Sequence, residues 1–310
     1  MDEGGRLRRD PVNGKLVVLA PRRRRRPRRP HPGSADERQE PRCPFCPGNE
    51  GLTPPELDAL RAGGSRPDAP GWRVRVVPNL YPAFPDGHEV VVHSPDHLRQ
   101  LEDLEDEEAA AVIEMCRRRV DALLSRGAAA VVLVANRGAS AGATLEHPHS
   151  QVFALPVVPP LMVEELANFT RYRNRYGDCL LCVQMEQARA DGRVVVDDEV
   201  LAWVPEAARW EYELRLAPRE HEPDFRRADV AATTRTLGRA LTAVTAATGG
   251  APLNYWLHTV PPDHGGAYHW HLEMAPRTSV AAGFELATDM TILELEPELA
   301  AERLRQALAR

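Results

Sequence analysis

Asn136-Arg-Gly-Ala-Ser-Ala-Gly-Ala-Thr-Leu-Glu-His-Pro-His-Ser-Gln151 is the stretch from which the rest of the chain can be read. It follows the β-branched run Val131-Val-Leu-Val134, so it reads as a buried strand opening into a loop of small residues. Such a loop lets backbone approach a ligand closely, and its N–H groups suit phosphate oxygens. The loop delivers His147 and His149 at i and i+2, which places both side chains on one face if the segment that follows is a strand.

The whole chain limits what this stretch can serve. Its 310 residues allow one large or two medium domains with ample core. A formal net charge of −6 argues against general nucleic-acid binding. No apolar run approaches the roughly 18–20 residues of a membrane span. The start, Met1-Asp-Glu-Gly-Gly-Arg6, has no apolar signal-peptide core, so a cytoplasmic protein is expected. Four of the five cysteines form two Cys-x-x-Cys pairs, which in such a chain points to metal or redox use rather than structural disulfides.

Upstream, Lys15-Leu-Val-Val-Leu19 reads as a short strand, followed by the arginine-rich arm Pro21–Pro30. That arm is either a solvated segment or a set of phosphate contacts, with Arg22 and Arg25 the favoured positions. Cys43-Pro-Phe-Cys46 is a tight knuckle suited to one tetrahedral ion, without the strand–CxxC–helix context of a redox pair. Strands are expected at 72–77, 89–93, 130–135 and 152–155. A helix is expected over about 104–126, acidic in its first turn and arginine-rich near its end. The same order then recurs. A helix at 161–175 leads to Cys179-Leu-Leu-Cys182; strands follow at 193–197, 200–204 and 211–216, then His221, a helix at 227–247, a strand at 253–257 and His269-Trp-His271. Four landmarks in one order make an internal duplication the expected reading. The expected fold is α+β, with two tandem halves, 1–158 and 159–310, each an antiparallel sheet covered by a long helix.

The repetition proposes two Cys₂His₂ sites, Cys43/Cys46/His97/His147 and Cys179/Cys182/His221/His269. Four protein ligands leave no open position, so a structural zinc is the expectation. For the second site His258, His264 and His271 compete as ligands, and zinc, iron or no ion all stay open. With His147 on a metal, His149 is left for chemistry as a nucleophile toward phosphorus, with Ser150 and Gln151 donating to a non-bridging oxygen. The second half offers His271 and Glu273 instead, beside a bulkier loop that carries an acid, so the first half is the catalytic expectation.

Arg9-Asp-Pro11, Cys43-Pro-Phe-Cys46-Pro-Gly-Asn-Glu50, Asn136-x-Gly-x-Ser-x-Gly142, His147-Pro-His149-Ser-Gln151 and Gly283-Phe-Glu-Leu286 together resemble the galactose-1-phosphate uridylyltransferases of the histidine-triad superfamily, over nearly the whole chain. The resemblance implies histidine-triad-like halves and ping-pong exchange of UMP between UDP-glucose and galactose 1-phosphate through a uridylyl-histidine at His149. It further implies that Asn136, Gly142 and Gln151 hold nucleotide phosphates, with Ser140 a further binding position and Asn79 near the nucleotide. Arg22 and Arg25 would reach phosphate, and Phe284 and Glu285 would line a hexose pocket. A homodimer is implied as well. The chain departs from the pattern at Ser150, where glycine is usual and which the related plant ADP-glucose phosphorylase shares. It departs again at Thr278–Ser279 in place of a nearby lysine, and at Ala287-Thr-Asp289. The alternatives are therefore an ADP-glucose phosphorylase-like adenylyltransferase, or a zinc-stabilised nucleotide-binding protein without turnover.

Overall fold

Strands rich in β-branched and other apolar residues, several of them buried along their whole length, build one long sheet. The computed structural model describes residues 6–11, 14–20, 23, 43–61 and 63–309; Arg22 and Arg25 lie outside them. A two-stranded hairpin, β1 (Arg6–Arg9) with β2 (Leu16–Leu19), stands apart. The remaining strands are β3 (Asp58–Arg61), β4 (Trp72–Pro78), β5 (His88–Val92), β6 (Ala130–Arg137), β7 (His149–Leu155), β8 (Val194–Asp197), β9 (Val200–Trp203), β10 (Leu214–Pro218), β11 (Leu253–His258) and β12 (His271–Pro276). They form a single ten-stranded sheet in the order β3-β4-β5-β7-β6-β11-β12-β10-β9-β8, and each neighbouring pair is antiparallel.

The expectation of one sheet per half is thus corrected. β6 and β11 pair from Leu253↔Arg137 to His258↔Val132, so hydrogen bonding runs unbroken across the middle. An edge at either strand would leave a row of backbone groups unpaired, and the junction removes both edges. Read inward from each end, the two five-strand runs have matching order.

The helices are α1 (Asp106–Ser125), α2 (Pro160–Tyr176), α3 (Leu180–Ala190), α4 (Val230–Thr248), α5 (Gly283–Thr288) and α6 (Pro297–Leu308). The long helix at 104–126 is found as α1, but with no basic residue in its last turn. Its arginines sit further back and make ion pairs, most deeply Arg119, whose Nε and Nη2 donate to Glu89 at 2.7 and 2.8 Å. α4 begins at Asp229, whose carboxylate accepts from the Ala232 amide at 2.9 Å as an N-cap. One face of the sheet packs with α1, α4 and α6 into the main core, including Val74, Val91, Leu133, Val152, Tyr255 and Leu272. The other face is covered in two places. The Cys43–Cys46 knuckle lays Phe45 against Trp72, Val90 and Val92. At the far end α2 and α3 cover Leu201, Trp203 and Ala217. Among the described residues, no helix is long and apolar enough to cross a membrane.

Candidate active site

β7 sets the site. Because a strand alternates its side chains, His149 and Gln151 share the knuckle-side face while Ser150 points into the helix-side core. There His93 Nε2 lies 2.8 Å from the Ser150 hydroxyl, and Tyr255 bonds the same hydroxyl. The expectation that Ser150 works beside Gln151 is therefore corrected: its side chain is 2% exposed on the opposite side of the sheet. Burial holds the His93 imidazole down to about 3, so it is neutral at any ordinary pH.

Just before β7 the chain brings the first tetrad together. Cys43, Cys46, His97 and His147 have ligand atoms within 4.8 Å of one another. Cys46 Sγ lies 3.3 Å from His97 Nδ1 and 3.6 Å from His147 Nδ1, with Cys43 Sγ at 3.7 Å from the latter. Ligand–ligand edges in tetrahedral zinc sites run at about 3.4–3.8 Å, so the set fits such an ion. His147 Nε2–H donates to the Ser94 carbonyl at 2.8 Å, which turns the Nδ1 lone pair toward the thiols. Burial lowers the His147 pKa to about 4 and raises Cys43 to about 11.

His149 is fixed by the same turn. Its Nδ1–H donates to the His147 carbonyl at 2.8 Å, which selects the tautomer whose lone pair is on Nε2. Phe45 of the knuckle meets its ring edge-on, centroids 5.2 Å apart. The Cys₂His₂ tetrad and the imidazole are thus joined by one carbonyl and one aromatic ring. Gln151 Oε1 lies 2.9 Å from His88 Nε2, and Asn79 Nδ2 comes within 3.1 Å of the same nitrogen. Asn136, at the end of β6, is held by Asn254, whose Nδ2 donates to its Oδ1 at 2.7 Å and to the Ala141 carbonyl at 2.8 Å. The loop beyond turns through Gly138 at φ 82° and Gly142 at φ 87°. A Cβ on Gly138 would come 3.0 Å from that of Pro252, so only glycine suits both its dihedral and its space. Ser140 lies exposed in the short turn between them. A cavity of about 240 Å³ opens here, walled in part by Asn136, Gly138, Glu146, His147 and His149.

The second tetrad also assembles. Cys179, Cys182, His221 and His269 lie within the same 4.8 Å limit, with the two sulfurs 3.5 and 3.6 Å from His269 Nδ1. The thiol of Cys182 bonds Cys179, holding Cys179 down to about 3 and pushing Cys182 up. His221 Nε2–H donates to the Gly266 carbonyl at 2.9 Å. The fit differs in two respects: Cys182 lies inside the first turn of α3, a helix with no counterpart after Cys46, and the buried His269 Nε2 has no protein partner among the described residues where His147 Nε2 has the Ser94 carbonyl.

His271 copies His149, with Nδ1–H donating to the His269 carbonyl at 3.0 Å. Its other side is closed. Glu165 of α2 stands 3.9 Å from Nε2 and also takes His258 Nδ1 at 3.0 Å and the Tyr268 hydroxyl at 2.8 Å. Glu165, His258 and His271 make a third group able to hold an ion. Sequence reading noted the two histidines but missed Glu165, 93 residues before His258 and marked by nothing in its helix. Phe284 and Glu285 are not brought to His149; they sit on the short exposed α5, where Glu285 accepts from the Ala282 amide at 2.9 Å.

Comparison with known proteins places this geometry. Residues 86–159 match a family described as galactose-1-phosphate uridyl transferase, N-terminal domain. The chain is 30% identical over 341 residues to the ADP-glucose phosphorylase of Arabidopsis thaliana, covering 97% of this chain and 92% of that protein. It is 32% identical over 236 residues to the galactose-1-phosphate uridylyltransferase of Streptomyces lividans, covering 74% of this chain and 60% of that one. Among solved structures, the A. thaliana ADP-glucose phosphorylase with bound ADP-glucose superposes with a TM-score of 0.78 at 29% identity, over 97% of this chain and 98% of that one. A uridylyltransferase structure gives 0.82 at 28% identity, over 98% of each chain.

Proposed function

The chain belongs to the galactose-1-phosphate uridylyltransferase family of nucleotidyltransferases, and on that premise we propose that it moves a nucleotidyl group between phosphates through His149. The observation that carries this is the 2.8 Å bond from His149 Nδ1–H to the His147 carbonyl, on the face that also bears Gln151.

In the first step His149 Nε2 attacks the α-phosphorus of a nucleoside diphosphate hexose. The phosphorus–oxygen bond to the β-phosphate breaks and hexose 1-phosphate leaves. In the second step a phosphate oxygen of the acceptor attacks the same phosphorus, the N–P bond breaks, and the imidazole is restored. Gln151 donates to a non-bridging oxygen, Asn79 lies toward the nucleotide, and Asn136 with Ser140 and Gly142 shapes the phosphate loop. A zinc ion on Cys43, Cys46, His97 and His147 would supply a rigid anchor for the turn, and Cys179, Cys182, His221 and His269 would hold a second. His271 has no such part, because Glu165 closes its Nε2 side.

Two substrate pairs compete. Near-complete coverage of an ADP-glucose phosphorylase favours ADP-glucose with inorganic phosphate. The shared family favours UDP-glucose with galactose 1-phosphate. Incubation with base-labelled ADP-glucose and UDP-glucose, followed by each acceptor, separates them. Label from ADP-glucose released by phosphate supports the first pair, and label from UDP-glucose released only by galactose 1-phosphate supports the second. No label from either leaves a nucleotide-binding protein without turnover.

The matching strand orders and paired tetrads support an internal duplication, with halves 1–158 and 159–310. The exposed Val280, Phe284, Leu286, Met290 and Ile292 support a homodimer in which this segment serves a second copy.

A further inference from the structure

The two ends of an amide do opposite things. Its nitrogen donates and its oxygen accepts, so only one end of Gln151 suits a phosphate oxygen. His88 decides which end that is. It lies on β5 opposite Phe153, two pairs along from Val90↔Gln151 and on the same face, and is 3% exposed. Its ring stacks on Phe153 at 4.1 Å and 26°, and the Ala83 backbone N–H donates to its Nδ1 at 3.1 Å. A neutral imidazole that accepts at one nitrogen carries its proton on the other. Nε2–H therefore donates to Gln151 Oε1 at 2.9 Å, and the Gln151 NH₂ occupies the opposite arm of the amide.

Asn79 is turned by the same kind of constraint. The Tyr81 N–H donates to Asn79 Oδ1 at 2.9 Å, which leaves the Asn79 NH₂ facing His88 Nε2 at 3.1 Å. Both groups then carry hydrogens. An accepting group beside them, such as an anionic oxygen, would relieve that approach.

We propose that His88 is a positioning residue, whose Nε2–H holds the Gln151 carbonyl so that its amide nitrogen faces the substrate phosphate. The inference rests on the reading of Gln151 as a phosphate contact. Without the proton on His88 Nε2 the Gln151 amide can rotate, and a rotated amide sets an acceptor against an anion. Losing a transition-state donor outright costs about 10²–10³ in rate. A site that is only part-rotated loses about 10- to 100-fold on the same scale.

The test is a double-mutant cycle on the full chain, reading the rate of nucleotidylation of His149. His88→Phe keeps the ring on Phe153 and removes both nitrogens. It should slow labelling about 10- to 100-fold with KM changed less than about threefold, and cost less than about twofold when Gln151→Ala is already present. His88→Gln, whose amide can donate to Gln151 Oε1, should recover part of the loss. Equal cost of His88→Phe in both backgrounds would overturn the proposal. Long-range ¹H–¹⁵N spectra of histidine-labelled wild type, assigned with His88→Phe, give a reading that needs no turnover. Protonation at Nε2 supports the lock, and protonation at Nδ1 or at both nitrogens overturns it. If no nucleotide sugar labels the wild type, the proposed function fails, while the spectrum still decides the orientation of His88.

Discussion

Arg119→Met tests how firmly the helix layer holds the catalytic half of the sheet. Arg119 and Glu89 are 5% and 3% exposed and share two hydrogen bonds of 2.7 and 2.8 Å, with Asp58 3.7 Å away on the sheet edge. Methionine leaves the Glu89 carboxylate in the core facing no cation of comparable geometry. Breaking a buried pair in this way costs about 3–5 kcal/mol. Removing both charges is a different matter, because the remaining desolvation cost disappears with Glu89. Arg119→Met with Glu89→Leu should return to within about 1–2 kcal/mol of wild type. Urea denaturation of the four proteins measures this, read as a shift in midpoint at constant slope. β5 also carries His88, so the single variant should lose nucleotidyl transfer at urea concentrations where the wild type stays active. A single-variant cost below about 1 kcal/mol, or a double variant as unstable as the sum of the singles, would refute the reasoning.

Four further outcomes follow from the site. Gln151→Ala should slow transfer by about 10²–10³. Ser150→Ala should instead appear as about 1–3 kcal/mol of lost stability, since His93 Nε2 loses its buried partner; a larger rate loss for Ser150→Ala than for Gln151→Ala would return Ser150 to the active face. Metal analysis should find about two zinc ions per chain, and about one in Cys46→Ser. An unchanged content in that variant would remove the first tetrad. The His93 value, held near 3 by burial, gives a pH dependence of stability. The folded value is below the unfolded one, so the unfolded chain takes up the proton first. Its contribution is intact above about pH 6.5 and is lost as pH falls toward about 3, at up to about 1.36 kcal/mol per unit. Urea midpoints between pH 7 and 4.5 should fall less steeply in His93→Phe, and an equal slope would contradict the assignment.

The two Cys₂His₂ clusters were legible in the sequence because cysteine pairs and histidines are rare residues whose spacing repeats. His149 was legible from strand alternation, although β7 begins at His149 itself, so the rule pairs it with Gln151 and not with His147. That same rule, applied one residue further, would have placed Ser150 on the other side; chemical likeness to Gln151 obscured it. Long-range pairing was not legible. Nothing local in Leu253–His258 says that it binds β6 rather than ending a separate sheet. The capping of His271 by Glu165 depends on how α2 packs across the sheet, which its own residues do not encode. α3 was hidden by its position, since a Cys-x-x-Cys pair reads as a loop knuckle until a helix continues from it.

Mass spectrometry of the chain after brief incubation with ADP-glucose or UDP-glucose, quenched at alkaline pH, tests the account most directly. It should find an acid-labile nucleotide monophosphate on the peptide that carries His149 and none on His149→Gly. An adduct that persists in His149→Gly, or lies on His271, would contradict it.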